Sequence, residues 1–353
     1  MSDNYEINDI RGPSDFKSIS FSGYKKSDVK TQLINNLKKN KIEQCCYWSA
    51  ELICAGHYTD LWEYLLLYFG KHIHLGNPKI ISYLQKRFEI FKNVMHQGQF
   101  VNELQIRNHP TIRKIFAEII CVLIQSDKKN STEIIKVIRE EDYDITQLNG
   151  KLSATSMDFA KDVFKTEDPK ELFIAINEFC YNISTKKSMI NACYWYEWIV
   201  DFNTICKKNK DLCLCEMRTF VKVENKFRKD CVWMLWDALL HYSKDNIFIH
   251  SIMQSVLTMF SVKYTTATCK KRRYLFYFAI SLLTEKVITN SEIIKDKKTI
   301  EAVTNKINII YKQIKKNEHS PNTEYLFANI EKENALEKSL AKMSLVNSID
   351  VTK

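Results

Sequence analysis

Glycine and proline are nearly missing from this chain. Its 353 residues hold 7 Gly and 5 Pro, where ordinary composition gives about 25 and about 18. All seven glycines lie at or before Gly150, so residues 151–353 contain none. Glycine supplies the positive-φ positions of tight hairpins, phosphate loops and nucleophile elbows. Its scarcity therefore excludes hairpin-rich sheets and favours helices. No Gly-x-x-x-x-Gly-Lys-Ser/Thr, Gly-x-Gly-x-x-Gly, Gly-x-Ser-x-Gly or His-Glu-x-x-His occurs. Nucleotide binding through a phosphate loop, hydrolase-elbow chemistry and zincin chemistry are not expected. Nor does any run of 18 apolar residues occur; the apolar stretch at 115–124 is interrupted by Glu118. A membrane span is not expected. The opening Met1-Ser2-Asp3-Asn4 lacks the basic and apolar regions of a signal peptide, so an intracellular, non-secreted protein is expected.

What is present fits a globular protein of 41.6 kDa, with 45% hydrophobic and 27% charged residues. Eleven cysteines without a signal peptide read as reduced thiols packed as small hydrophobes. The net charge is +10, and it is unevenly spread. Residues 1–150 hold 20 basic and 18 acidic side chains, whereas residues 262–316 hold 13 basic and 4 acidic, a surplus of 9. Such an excess attracts polyanions, and its plainer alternative is a solubilising face.

The chain reads as all-α, in two related helical subdomains. Residues 1–27 are polar and without sustained period, a flexible N-terminal arm. From Ser27-Asp28 a helix period begins with Val29, Leu33, Ile34 and Leu37. Asn77-Pro78 and His109-Pro110 start further helices, the latter with Ile112, Ile115, Phe116, Ile119, Ile120 and Leu123 as its buried face. The second half repeats this grammar. Cys46-Tyr47-Trp48 with Glu51 returns as Cys193-Tyr194-Trp195 with Glu197. Leu61-Trp62-Glu63 returns as Leu235-Trp236-Asp237, and Arg113-Lys114-Ile115-Phe116 is echoed by Arg272-Arg273-Tyr274-Leu275. The two tryptophans lie 14 residues apart in the first half and 41 in the second. A tandem duplication with an insertion near 203–230 accounts for this. The expected organisation is an arm at 1–27, a first unit at 28–140, an acidic linker at 141–167 that begins within Glu140, Glu141, Asp142 and Asp144, and a second unit at 168–318. Asp168-Pro169 reads as the N-cap that opens this second unit. A C-terminal helix and tail follow at 319–353, with Leu326, Ile330, Leu336, Leu340 and Met343 on one face.

Several side-chain groups carry possible chemistry. Cys206, Cys213, Cys215 and Cys231, with His241, are the best metal candidates, but Cys-x-Cys spacing does not make a zinc knuckle, and no metal is assigned. His72-Ile73-His74 has no companion ligand in a recognised spacing. Glu51 and Glu197, and Glu63 and Asp237, are matched carboxylates, a pattern open to acid–base work and more often satisfied by an Arg or a helix end. No catalytic residue and no cofactor are assigned. The basic run Lys270-Lys271-Arg272-Arg273, followed by Tyr274, Phe276, Tyr277 and Phe278, is the candidate nucleic-acid contact, with Lys295, Lys297, Lys298, Lys312, Lys315 and Lys316 as its extension. The aromatics run into Ala279-Ile280-Ser281-Leu282-Leu283, so most of them are expected to face the core.

The segment Cys46-Tyr47-Trp48-Ser49-Ala50-Glu51-Leu52-Ile53-Cys54-Ala55-Gly56, continuing to Leu75-Gly76-Asn77-Pro78, resembles the helical C-terminal region of the MgsA/RarA family of clamp-loader-like ATPases. There too a Tyr-Trp helix, a Gly eight residues after the Trp and a Gly/Asn/Asp-Pro turn occur in that order. The resemblance covers about 40 of the 353 residues and brings no ATPase motif with it. It implies a collar-type module for oligomerisation or partner binding in DNA replication and repair. The lysine and asparagine bias and the Ile73-His74-Leu75-Gly76-Asn77-Pro78-Lys79 block also resemble uncharacterised proteins of large nucleocytoplasmic DNA viruses, which implies a host cytoplasm, viral factory or nucleus as location. The expected function is a non-enzymatic replication or repair accessory that binds nucleic acid or another acidic partner through 262–316, with a homo-oligomer or a replication protein as further partners. The alternative is a structural or virion-associated interaction module without nucleic-acid affinity.

Overall fold

The computed structural model describes residues 5–97, 103–139, 143, 148–211, 213–319 and 340. The acidic cluster Glu140, Glu141, Asp142 and Asp144, and the C-terminal helix apart from Leu340, lie outside the described residues. Among the described residues, helices form where the apolar period begins near Val29 and after Asn77-Pro78 and His109-Pro110, and no strand occurs; two isolated bridges, Ile19 with Lys25 and Leu214 with Asp230, are the extended pairings.

The first half contains α1 (Lys26–Lys38), α2 (Ile42–Cys54), α3 (Tyr58–Tyr68), α4 (Ile80–Gln97) and α5 (Pro110–Gln125). Pro110 sits at the first turn of α5, where its missing N–H costs nothing, and the expected face of Ile112, Ile115, Phe116, Ile119, Ile120 and Leu123 is buried. The second half contains α6 (Phe173–Ser184), α7 (Met189–Lys208), α8 (Val232–Ser243), α9 (Ile247–Ser261), a one-turn α10 (Thr268–Lys271) and α11 (Arg273–Thr284). With α10 set aside, each half is a run of five helices among the described residues. The same pairs pack in both: first with second, third and fifth; second with third and fifth; fourth with fifth. Each half also closes around a tryptophan of its third helix. Trp62 meets Phe88 and Phe91 of α4 and Phe116 of α5, with centroids at 5.1, 6.0 and 5.4 Å, while Trp236 meets Phe260 of α9 and Phe276 of α11 at 5.2 and 5.0 Å.

One continuous core joins the halves. Helix α11 is buried on all sides from Tyr274 to Leu282, which is why the aromatic run carries no polar alternation. It lies against a π-helical turn at Phe69–Ile73 that ends α3. The contact requires Gly70, because a Cβ there would stand 2.9 Å from the Tyr274 backbone. Helices α4 and α9 pack across the same seam, bridged by Ser82 Oγ and Ser255 Oγ at 2.9 Å.

Three expectations are adjusted. The last two helices, α12 (Lys297–Lys306) and α13 (Asn308–Lys315), fall inside the expected second unit yet pack on α5 and α2 of the first. Their sequences are amphipathic, and periodicity does not say which surface covers an apolar face. The N-terminal arm is anchored along residues 5–25: Ile7, Phe16 and Phe21 are buried, and buried Glu51 accepts hydrogen bonds from Ser20 Oγ and from Ser22 N and Oγ. Finally, Asp168 does not cap α6. A 3-10 turn at Lys170–Leu172 intervenes, and the carboxylate is buried against Arg218 instead.

Candidate nucleic-acid interface

The basic run divides at the start of α11. Lys270 and Lys271 occupy the last turn of α10 with exposed side chains. Arg272 is buried. Its guanidinium donates to the carbonyls of Met259, Phe260 and Val262 at 3.1, 2.7 and 2.8 Å, closing the end of α9, and forms an ion pair with Glu63 of α3. Arg273 lies against Glu197 at 3.2 Å, with its side chain largely buried. Two of the four expected contacts are thus structural ties, and Tyr274, Phe276, Tyr277 and Phe278 are all core.

The expected extension is spread over the fold. Lys295 pairs with Asp127 at 2.6 Å in the approach to α12. Lys297 faces Glu301 one turn on at 3.7 Å, and Lys298 is exposed on the same helix. At the end of α13, beside Lys312, Lys315 binds Glu318 at 3.1 Å and donates to the carbonyl of Glu6, while Lys316 is exposed. These residues ride on helices that cover the first half.

A partner for Lys270 comes from elsewhere. The last turn of α7 brings Lys207 and Lys208 to a cavity of about 370 Å³ that Lys270 also lines, together with Asn203, Thr204 and Thr266. Lys207 is held at 2.9 Å by buried Asp230, which also accepts from Tyr264 Oη at 3.1 Å. Lys208 is exposed, and Asn203 Oδ1, buried in the wall, has no hydrogen-bond partner. The nearest carboxylate of α7, Asp201, is occupied by Arg139 through two bonds at 2.7 and 2.6 Å. Lys207 and Lys208 lie outside the expected interface because 62 positions separate Lys208 from Lys270; their signal in the sequence is the lysine pair closing a long helix.

The matched carboxylates are all occupied. Glu51 holds the arm, Glu63 takes Arg272, and Glu197 takes Arg273 and Tyr277 Oη at 2.8 Å. Burial raises the Glu197 carboxyl above its usual range, with Arg273 opposing. Asp237 takes Arg218 Nε at 3.1 Å. Arg218 is itself buried; its two terminal nitrogens grip Asp168 at 2.5 and 2.6 Å, tying residues 209–231 to the chain before α6.

The thiols fall into two groups. Cys206, Cys213 and Cys231 gather at the end of α7, whereas Cys215 turns to the carbonyl of Asp230 at 3.3 Å and His241 faces Asp162 at 3.9 Å. Among the described residues, no three His, Cys, Asp or Glu side chains are placed to hold a metal ion. His72 bonds Asn130 at 3.0 Å, and His74 is buried against Phe278 with neither ring nitrogen partnered. Among the described residues, no helix is long and apolar enough to cross a membrane.

Comparison of the chain with protein-family models, with curated proteins and with solved structures finds no match.

Proposed function

We propose that the protein is a non-enzymatic helical scaffold that binds nucleic acid at the cavity between α7 and α10. The observation that carries this reading is the convergence of Lys207, Lys208 and Lys270 on one concavity, with Lys271 adjoining in sequence. Ammonium groups around a concave surface neutralise phosphates and release counterions, which gives affinity without base specificity. A scaffold rather than an enzyme is favoured because each matched carboxylate has an internal partner. Replication or repair is the setting that the clamp-loader resemblance implies, and the common helix pairings support descent of the two halves from one duplicated unit.

The test is fluorescence anisotropy with labelled single- and double-stranded DNA across 50 to 300 mM salt, on the order of the range that exposes counterion release. Affinity should fall steeply with salt. In Lys208→Glu/Lys270→Glu/Lys271→Glu it should drop by at least about tenfold, with a log–log salt slope shallower by about 2–3. Lys207 is left intact because it satisfies buried Asp230. An affinity and slope equal to the parent protein's would reject the reading.

A further inference from the structure

The segment between α7 and α8 contains a short antiparallel pairing whose register puts two cysteines face to face. Leu214 and Asp230 form the bridge, and the Cys215 N–H donates to the Lys229 carbonyl at 2.9 Å. Positions opposed in this register sum to one value, so Cys213 stands directly across from Cys231. Neighbours across an antiparallel pair bring their Cβ atoms within about 4.5–5.5 Å. Here the sulfurs are 3.3 Å apart, and the Cys231 thiol also reaches the Cys213 carbonyl at 3.0 Å. Closing the remaining gap to a bond of about 2 Å takes side-chain rotation rather than movement of helices.

We propose that Cys213 and Cys231 are a reversible redox pair, oxidised to a disulfide by a hydroperoxide. Cys213 is half-buried and meets the oxidant first; Cys231, fully buried at the start of α8, is the resolving thiol. The Cys213 thiolate attacks one peroxide oxygen. The O–O bond breaks, an S–O bond forms, and hydroxide leaves and takes up a proton as water. Cys231 sulfur then attacks Cys213 sulfur. The S–S bond forms, the S–O bond breaks, and the sulfenic oxygen departs as a second water with the Cys231 proton. Two thiols and one hydrogen peroxide give one disulfide and two waters.

The surroundings divide the roles. Of the eleven cysteines, Cys213 is the one whose thiol is pushed down. The hydrogen bond from Cys231 does most of this, with help from Cys206 and Lys207 against the opposing effects of burial and of Glu171. Cys231 is pushed up by the same contact and by its burial. Cys45, Cys121, Cys215 and Cys269 are pushed up to about 12, 11, 12 and 12, chiefly by burial, which leaves them poor nucleophiles. The pairing needs no ligand at the lysine-lined cavity and stands apart from the nucleic-acid reading.

The experiment treats the full-length native protein with hydrogen peroxide, then alkylates the free thiols and determines the intact mass and the cross-linked peptides. The expected result is a loss of two hydrogens, a linkage of Cys213 to Cys231, and full recovery of mass with dithiothreitol. Cys231→Ser should stop at a sulfenic acid on Cys213 that a dimedone probe captures. Cys213→Ser should give neither product, and circular dichroism checks that both variants stay folded. Oxygen addition without hydrogen loss in the parent protein, or a disulfide that maps to Cys206 or any other pair, overturns the assignment without reference to the variants.

Discussion

The two halves reach the same helix pairings from different connections, and the difference shows what each sequence had to supply. In the first half three residues, 55–57, join the second helix to the third, and the third leaves through the π turn and a 3-10 turn over residues 69–76. In the second half the second-to-third connection takes residues 209–231, while the third reaches the fourth across only 244–246. The first half spends its glycines on these joints: Gly56 at φ +76°, and Gly70 and Gly76 where other backbone comes too close for a Cβ. The second half contains no glycine and stabilises a longer excursion by other means. Arg218 and Asp168 clamp it, and Lys207 and Asp230 close its base. The carboxylate after the third-helix tryptophan follows the same logic. Glu63 takes an arginine from the opposite half, and Asp237 takes one from its own excursion.

The sharpest way to break the comparison is to remove both tryptophans in turn. Trp62→Ala and Trp236→Ala should each cost about 3–5 kcal/mol, because each empties a pocket lined by aromatic rings. The continuous core across α4, α9 and α11 predicts one urea transition in both variants, moved by similar amounts. If Trp236→Ala splits the transition and leaves a component at the parental midpoint, the halves fold independently and the seam contributes little.

The all-α class and the helices were legible in the sequence, and the limits of that reading are physical. Repeated Trp-Leu-Tyr blocks marked α3 and α8, and the uneven spacing of 14 and 41 located the excursion. The third echo was read one residue out of register. Phe116 corresponds in contacts to Phe276 rather than Leu275, since both phenylalanines meet the half's tryptophan. A four-residue match rich in Arg and aromatics cannot fix a helical register, whereas packing can. Burial of Arg272 was hidden for a related reason: an arginine that caps a neighbouring helix and one that binds phosphate look alike in sequence. The lysine-lined cavity needed two helix ends from distant parts of the chain, which no local pattern records.

A middling effect tests the joint that only the first half has. His74 follows the π turn at φ +47° and is buried beside Phe278. Burial pushes its imidazole down to about 4; Glu285 opposes this and Lys129 adds to it. Its folded pKa lies below the unfolded value of 6.5, so acid protonates the unfolded chain first. The stability tied to neutral His74 is complete above pH 6.5 and is lost as pH falls toward 4, by about 3 kcal/mol in all. Urea midpoints measured from pH 7 to pH 4 should fall more steeply in the parent than in His74→Leu. Parallel curves would show that this joint opens to water before the imidazole charges.

The smallest effect bears on the seam itself. Ser82 of α4 meets Ser255 of α9 at 2.9 Å, and Ser255 Oγ donates to its own helix at the Ser251 carbonyl, 3.2 Å away. Ser82 is therefore the donor across the seam. Ser82→Ala removes that bond but leaves Ser255 satisfied, and in Ser255→Ala the half-buried Ser82 hydroxyl turns to water. Neither change strands a buried polar group, so each should cost about 0.5–1 kcal/mol, with a double-mutant coupling of about 0.5 kcal/mol. A coupling this small places the cohesion of the two halves in apolar contacts such as Phe69 against Phe278 at 4.9 Å. A coupling well above about 1.5 kcal/mol would instead assign the seam to its polar bridge, and the tryptophan variants would then be expected to unfold the halves apart rather than together.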